Sequence, residues 1–289
     1  MRTVFLGTSD FAAAVLGHLA DSPHRPQLVV TRPDRPRGRG RKLAPPPVAE
    51  AARALELELF QPENVNRESA RERIAAARPD AVVICAFGAL IREPLLSNHE
   101  MLNVHPSLLP RWRGAAPVER ALMAGDEETG VAIMRPTAGL DSGPVFLAGV
   151  EPIAPADTYG TLAARLRTLG ADLLIRSLDT QPEPVEQSEE GVTYADKIGP
   201  ADRTLDPQSP AAVNDRAVRA LTPHIGARVE LPDGAFLGVL RAAVRDPCAA
   251  GALHADADRL FLGGLELLEV QPAGARPMDA AAYLRGHRL

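Results

Sequence analysis

An amide, an imidazole and a carboxylate lie near the ends of predicted strands in this chain. Asn103 and His105 are two residues apart in NVHPSLLP (103–110), so in an extended strand their side chains point to the same face. Asp141 lies in AGLDSGP (138–144), a glycine-flanked loop after another predicted strand. A carboxylate in such a loop can hydrogen-bond the imidazole and set its tautomer and charge. The three side chains can therefore address one reacting atom.

These residue types suit the transfer of an acyl group to an amine. The amide N–H of Asn103 can stabilise the oxyanion that forms when the acyl carbonyl is attacked. Histidine titrates near neutral pH, so His105 can stabilise the same oxygen as an imidazolium or relay a proton as an imidazole. An α-amine, with a pKa of roughly 7.7 to 8.0, needs only a weak base. Such a reaction requires neither a metal ion nor a bound redox cofactor.

Each of these residues also has a structural interpretation. Asn103 can form a turn by bonding its own backbone, and His105 can be a structural histidine at a strand end. Asp141 can belong to an ordinary Asp-Ser-Gly turn, and Ser107 can cap a helix. The pattern alone leaves both interpretations open.

The elements that position these residues alternate between strand and helix over the first 180 residues. Short apolar runs predict strands at residues 3–7, 27–31, 80–86, 101–105 and 130–136. Helical spacing predicts helices at residues 8–20, 45–59, 64–77 and 114–124. The run at 80–86 is apolar on both faces, as in the centre of a parallel sheet. The pattern indicates an α/β fold with a doubly wound, mostly parallel, Rossmann-like sheet, which binds ligands at the carboxyl ends of its strands.

The remaining residues predict a linker and a second domain. Residues 181–200 are rich in proline, acidic residues and glycine, as in interdomain linkers. A helix at 211–221 is followed by five strand-like runs, which predict a small antiparallel β-barrel of the oligonucleotide-binding (OB) type. They lie at 227–231, 235–244, 251–255, 259–263 and 265–271. We therefore predict a catalytic domain at 1–183, a linker at 184–203 and a barrel domain at 204–289.

The composition is that of an ordinary globular protein. Apolar residues make up 45% and charged residues 24% of the 289 residues. Cys85 and Cys248 are the only cysteines, which excludes a disulfide framework, and we expect both to pack as small hydrophobic side chains. No stretch approaches the ~18 apolar residues of a membrane span, and none has the features of a signal peptide. We expect a cytoplasmic monomer without membrane contact.

One short segment departs from the acidic balance of the chain. Residues 32–42 (RPDRPRGRGRK) hold six basic residues against Asp34, a charge of +5 in a protein of net charge −5. Glycines and prolines punctuate this basic segment, which follows a predicted strand at the carboxyl edge of the sheet. Its arginines match phosphate groups better than a protein core. The alternative is a solvated, flexible loop without a ligand.

Four segments, in the same order, carry a resemblance to a known family. FLGTSDFA, ICAFGALI, NVHPSLLPRWRGAAPVERAL and GLDSGPV resemble the methionyl-tRNA formyltransferases, a family of folate-dependent formyltransferases. The similarity covers most of residues 1–180. The resemblance implies the same doubly wound sheet followed by an OB-like barrel, in agreement with the predicted elements.

The resemblance also implies an activity and a set of site residues. It implies formyl transfer from 10-formyltetrahydrofolate, as co-substrate and without a metal, to the α-amine of methionyl initiator tRNA in translation initiation. It implies that Asn103, His105 and Asp141 are catalytic. The implied folate-binding residues are Cys85, Ala86, Phe87, Gly88, Leu90, Ile91, Ser107, Leu108, Leu109 and Pro110. The implied tRNA-binding residues are Arg35, Arg37, Arg39, Arg41 and Lys42.

Related formyltransferases are the first alternatives. Glycinamide ribonucleotide formyltransferases resemble the HPSLLP segment, but they have a single domain and lack the RWRGAAP continuation. Formyltransferases that act on a sugar-nucleotide amine share the core and a second domain, so the catalytic residues do not exclude them. The basic segment favours an RNA acceptor over a sugar nucleotide.

Two other classes of protein fit the sequence less well. The opening strand, glycine and helix suggest a nucleotide-dependent oxidoreductase, but GTSDFA lacks the GxGxxG pattern and QLVVT provides no acid for a ribose. A catalytically inactive RNA-binding relative is the other alternative. The presence of Asn103, His105 and Asp141 argues against it.

Overall fold

The computed structural model describes residues 1–37 and 42–287, without the side chains of Arg37 and Lys42. Contacts between Cα atoms divide the chain into two compact units. The first unit contains Met1–Arg113, Gly130–Glu151 and Ala164–Tyr194, and the second contains Gly114–Thr129, Pro152–Ala163 and Ala195–Leu289. Each unit thus combines three segments that are separated along the chain. The domain boundaries near residues 183 and 203 stay a prediction.

The described part of the first 195 residues contains eleven strands and five helices. The strands are β1 (Thr3–Gly7), β2 (Pro26–Val30), β3 (Arg35–Arg37), β4 (Lys42–Ala44), β5 (Leu59–Phe60), β6 (Ala81–Cys85), β7 (Met101–His105), β8 (Arg113–Gly114), β9 (Glu128–Met134), β10 (Val145–Pro152) and β11 (Tyr194–Ala195). The helices are α1 (Asp10–Ala20), α2 (Pro47–Ala54), α3 (Glu68–Ala76), α4 (Pro117–Ala124) and α5 (Tyr159–Thr180).

Seven of these strands form a mostly parallel sheet in the order β10-β9-β7-β6-β1-β2-β5. β1 pairs in parallel with β2 and β6, and β6 pairs in parallel with β7. β9 runs antiparallel to β7. β1 and β6 are buried at every residue, which explains their central position, because only strands that are apolar on both faces suit a sheet covered on both sides. The predicted fold class is confirmed.

The helices begin where local chemistry favours it. The Ser9 hydroxyl caps α1 by accepting a hydrogen bond from the Ala12 N–H at 3.3 Å. α2 begins at Pro47, whose fixed φ suits the first helical turn. The prediction of a helix over residues 45–59 was wrong for its last five residues. The helix ends at Ala54, Glu56 turns the chain with a φ of 54°, and Leu59 then pairs with Val29 at the sheet edge.

The second unit contains an antiparallel half-barrel. Its helix α6 (Ala211–Leu221) precedes β12 (Ala227–Glu230), β13 (Phe236–Val244), β14 (Leu253–Asp256), β15 (Arg259–Leu262), β16 (Leu265–Gln271), β17 (Met278–Asp279) and α7 (Ala280–Gly286). The strand order is β12-β13-β16-β15-β14, and β17 pairs with β16. Side chains of β13, β15, β16 and α7 form its apolar core, including Val239, Leu265 and Tyr283.

The five predicted strands and the helix at 211–221 are confirmed in the second unit, whereas β17 and α7 were not predicted. Cys85 is buried at the end of β6, as expected. The expectation for Cys248 was wrong, because it lies exposed after β13, where its N–H donates to the Asp246 carboxylate in a turn. Among the described residues, no helix is long and apolar enough to cross a membrane.

Candidate active site

The carboxyl half of β7 carries Asn103 and His105 between β6 and β9. Asn103 pairs with Ile84 on one side and Met134 on the other. Its Nδ2 donates to the Met134 sulfur at 3.6 Å, the one hydrogen bond of this side chain among the described residues. A thioether sulfur is a weak acceptor, so the Asn103 amide is positioned but remains available to a stronger acceptor.

His105 is held between a backbone carbonyl and a carboxylate. It is buried, and its Nε2 lies 2.9 Å from the carbonyl oxygen of Trp112. Because a carbonyl oxygen only accepts hydrogen bonds, Nε2 must carry the hydrogen and donate it. Nδ1 lies 3.7 Å from Asp141 Oδ2, a distance that fits an ion pair but exceeds a hydrogen bond. Nδ1 is therefore the ring nitrogen that can gain or lose a proton.

Both partners of His105 adopt the left-handed backbone region. Trp112 has a φ of 62° and Asp141 a φ of 44°. Such values are uncommon for residues other than glycine, and they persist only where the surrounding structure enforces them. The backbone conformations of both loops are therefore maintained by the residues around them.

Gln187 is one neighbour that fixes the Asp141 loop. Its Nε2 donates to the carbonyls of Asp141 at 2.8 Å and Gly143 at 2.7 Å. Its Oε1 accepts from Arg113 Nε at 3.0 Å. Sequence reasoning missed Gln187, because it lies in the proline-rich stretch interpreted as a linker, 46 residues beyond Asp141. It also missed Trp112, which contributes through its backbone rather than its side chain.

The loop after β6, residues 86–92, contains half of the residues predicted to bind folate, and we call it the donor loop. Cys85, just before it, is fully buried, and burial raises the pKa of its thiol, so the side chain is a neutral part of the core. Phe87 and Ile91 are also buried in the core. Ala86 and Gly88 have positive φ values, and Leu90 is 66% exposed. A ligand here would contact the backbone and Leu90 rather than the buried side chains.

The second predicted folate segment, residues 107–110, is a turn that follows β7. Ser107 is buried, and its hydroxyl donates to the Arg111 carbonyl at 2.7 Å. It is not a helix cap, since the next helix begins at Pro117. Leu108 packs against Gly130, where an added Cβ would lie 2.5 Å from the Leu108 side chain. Leu108, Leu109 and Pro110 are each half-buried.

The structure describes part of the basic segment. β3 and β4 pair antiparallel, with Arg35 opposite Ala44, so its ends form a hairpin rather than an irregular loop. Arg35 makes an exposed ion pair with Glu63 at 2.7 Å. Arg39 and Arg41 lie outside the described residues, as do the side chains of Arg37 and Lys42. Their roles in tRNA binding stay predictions. No group of three or more potential metal ligands occurs within the described ranges.

Comparison with known proteins identifies the family. The formyl transferase family model matches residues 1–178. A methionyl-tRNA formyltransferase from Halorhodospira halophila is 44% identical, and the match covers 100% of this chain and 97% of the relative. The solved structure of a methionyl-tRNA formyltransferase from Clostridium thermocellum has a TM-score of 0.63 at 14% identity, covering 93% of this chain and 99% of that one.

A second solved structure shares the fold. An N-formyltransferase from Helicobacter canadensis, in complex with folinic acid and dTDP-3-aminofucose, has a TM-score of 0.66 at 12% identity, covering 96% of this chain and 100% of that one. The two structural likenesses show the fold alone, whereas the identity over the whole length shows the family. The chain therefore belongs to the formyl transferase family and, within it, to the methionyl-tRNA formyltransferases.

Proposed function

We propose that this protein transfers the formyl group of 10-formyltetrahydrofolate to the α-amine of methionyl initiator tRNA, as a cytoplasmic monomer in translation initiation. The observation that carries the proposal is the 44% identity to a methionyl-tRNA formyltransferase over the whole chain. The site geometry supports the same chemistry. An amide donor and an imidazole with one exchangeable nitrogen lie on one strand, and a carboxylate faces that nitrogen.

The proposed reaction proceeds through a tetrahedral intermediate. The methionyl nitrogen attacks the formyl carbon, a C–N bond forms, and the carbonyl electrons move to oxygen. The Asn103 amide N–H stabilises that oxyanion, which is typically worth 10²–10³ in rate for one donor. When the bond between the carbon and N10 of the folate breaks, the electron pair returns to N10, which takes up a proton.

His105 and Asp141 carry out the proton transfer in the proposed reaction. The nitrogen of the attacking amine must lose a proton, and Nδ1 of His105 is the ring position able to accept it. The resulting imidazolium lies between two acceptors, the Trp112 carbonyl and the Asp141 carboxylate. Both stabilise its positive charge. The same proton can then pass to N10 of the leaving folate.

The formyl donor and the formyl acceptor would bind to different parts of the first unit. The reduced folate would bind along the donor loop and residues 107–110. The phosphates of the tRNA would contact Arg35, Arg37, Arg39, Arg41 and Lys42, so that binding weakens steeply with added salt. Arg35 would exchange its exposed pairing with Glu63 for a phosphate, which costs little because exposed ion pairs are worth ~1 kcal/mol or less.

A competition between acceptors tests the proposal. The protein is incubated with 10-formyltetrahydrofolate, methionyl initiator tRNA and an aminated sugar nucleotide, and the products are separated by mass spectrometry. We expect formylmethionine on the tRNA and no formylated sugar. A formylated sugar without formylmethionine would assign the protein to the alternative substrate class.

A further inference from the structure

Side chains that follow β1, β2 and β5 along the chain hold the donor loop by its carbonyl groups. The bonds run from Thr8 Oγ1 to the Phe87 carbonyl at 2.7 Å, from Arg32 Nη1 to the Gly88 carbonyl at 3.2 Å, and from Asn66 Nδ2 to the Leu90 carbonyl at 2.8 Å. In the part of the chain that the structure describes, the backbone N–H groups of residues 87–91 donate to no acceptor. The donor loop is therefore held by its carbonyl oxygens, and its backbone N–H groups are left for a ligand.

Asn66 contacts the donor loop twice. Its Nδ2 donates to the Leu90 carbonyl, and its Oδ1 accepts from the Arg92 N–H, both at 2.8 Å. Phe87 and Ile91 anchor the loop in the core, whereas Leu90 between them borders an open cavity. A cavity of about 290 Å³ lies between the loop and residues 62–66, lined by side chains that include Arg32, Phe87 and Leu90. On the side that faces the cavity, the hydrogen bonds to Asn66 add to the packing of Phe87 and Ile91 in positioning the loop.

The stretch that carries Asn66, residues 61–66, also contacts the basic segment, and we call it the bridge segment. Gln61 Nε2 donates to the Arg32 carbonyl at 3.0 Å and to the Asp34 carboxylate at 2.8 Å. Glu63 makes the ion pair with Arg35. Arg32 itself belongs to both sets of contacts, because its carbonyl binds Gln61 while its guanidinium binds the donor loop.

We propose that the bridge segment couples the two substrate sites, so that RNA bound to the basic segment strengthens folate binding at the donor loop. This inference rests on the proposed function. RNA that binds the basic segment restrains Arg32 and Asp34, and Gln61 passes this restraint to the residues that hold the donor loop. The folate then meets a loop whose position is already fixed, and it loses less entropy on binding. By thermodynamic linkage, folate strengthens RNA binding by the same factor.

The coupling is measured as a ratio of dissociation constants. The Kd of 5-formyltetrahydrofolate is determined by calorimetry for the whole protein, alone and with saturating deacylated initiator tRNA. We expect the wild-type protein to bind the folate about fivefold more tightly with the tRNA, near the lower end of typical coupling factors. In Gln61→Ala we expect the ratio to fall to about 1, while the folate Kd without tRNA stays within about twofold. A merely structural defect would shift both Kd values and keep their ratio.

Two further variants complete the test. Gln61→Glu preserves the size of the side chain but replaces the donor that faces Asp34 with a carboxylate, and it should also abolish the coupling. Asn98→Ala alters an exposed amide in the same unit and should keep the wild-type ratio. A wild-type ratio near 1, or a ratio that survives both Gln61 substitutions, overturns the coupling. Failure of the wild-type protein to bind either ligand alone overturns the proposed function, and the coupling with it.

Discussion

Two histidine–carboxylate pairs of this protein differ in the distance between the imidazole and the carboxylate. In the second unit, His224 Nε2 lies 2.8 Å from Glu119 Oε1, and the Tyr159 ring stacks on the imidazole with centroids 3.6 Å apart. In the first unit, His105 and Asp141 are 3.7 Å apart. The tight pair completes its own hydrogen bond and is covered by an aromatic ring. The loose pair leaves Nδ1 of His105 without a partner at hydrogen-bond distance among the contacts described for this ring.

The difference separates a structural histidine from a candidate catalytic one. His24 belongs with the structural kind, since it is buried and lies 2.8 Å from both Asp179 and the N-terminal amine. The chemical types are the same in all three pairs. What distinguishes His105 is its location at the carboxyl end of a parallel strand, beside Asn103, with one nitrogen fixed and the other facing a carboxylate across a gap. Geometry, rather than residue type, therefore marks the site.

The largest effect is expected at His105. His105→Ala removes the proposed proton acceptor, and we expect kcat to fall by about 10³, within the range typical of general acid–base groups. The KM for tRNA should change little, since the side chain is buried and distant in sequence from the basic segment. Steady-state formylation kinetics measure both parameters. The matched variant His224→Ala should keep kcat within about threefold of wild type; equal losses in the two variants would erase the distinction between the pairs.

A smaller effect separates RNA binding from chemistry. Replacing Arg37, Arg39 and Arg41 together by alanine should raise the KM for tRNA about tenfold or more at physiological salt. It should also reduce the slope of log KM against log salt by roughly 2 to 3, since each lost phosphate contact removes about 0.7 to 0.9. The Kd of the folate measured without tRNA should not change. An unchanged salt slope would remove the basic segment from the RNA-binding surface.

The tight pair should matter for stability. His224→Ala leaves the buried Glu119 carboxylate without its 2.8 Å partner and removes the ring stacked on Tyr159. We expect a loss of about 2 kcal/mol in the free energy of unfolding, the cost of an unsatisfied buried acceptor. Urea denaturation measures it. His18→Ala, at an exposed histidine of α1, serves as the control and should stay within ~0.5 kcal/mol of wild type.

The smallest effect concerns a carboxylate paired with arginines instead of a histidine. Hydrogen bonds from Arg259 and then Arg245 lower the pKa of the buried Glu266 to about 2. Because the pKa is lower in the folded protein, the pairing stabilises the fold fully above about pH 5 and is lost as the pH falls through 2. Glu266→Gln should cost ~1 kcal/mol at pH 7, and this cost should shrink steadily as the pH falls from about 5 toward 2. Urea denaturation across this range checks it, and a pH-independent difference would contradict it.

Much of the fold follows from local patterns in the sequence. The central strands are short apolar runs, and the strands of the half-barrel are short runs separated by turn residues, so both were predicted to within a few residues. The strand β5 was missed because two residues carry no periodicity, and only pairing with β2 makes them a strand. Cys248 was misjudged because burial depends on the position of the turn that contains it rather than on the side chain.

The residues of the candidate site were predicted from the sequence, but the contacts that hold them in place were not. Asn103 and His105 share a strand, and Asp141 lies in a recognisable loop, so sequence spacing alone indicates them. The contacts of Trp112 and Gln187 are backbone and long-range contacts, respectively. Nothing in their local sequence indicates a partner that lies in another loop. Such contacts are specified by the whole fold, and the Trp112 carbonyl determines which ring nitrogen of His105 carries the hydrogen.

If Asp141 acts in the reaction through His105, removing its charge alone must slow formyl transfer, and a pair of isosteric substitutions examines this. Single-turnover formylation of methionyl initiator tRNA is measured for Asp141→Asn and for Glu119→Gln, which remove one carboxylate charge from the loose and the tight pair. We expect Asp141→Asn to lower the rate at least about 100-fold and Glu119→Gln to leave it within about threefold. A near-normal rate for Asp141→Asn would contradict the assignment of the active site.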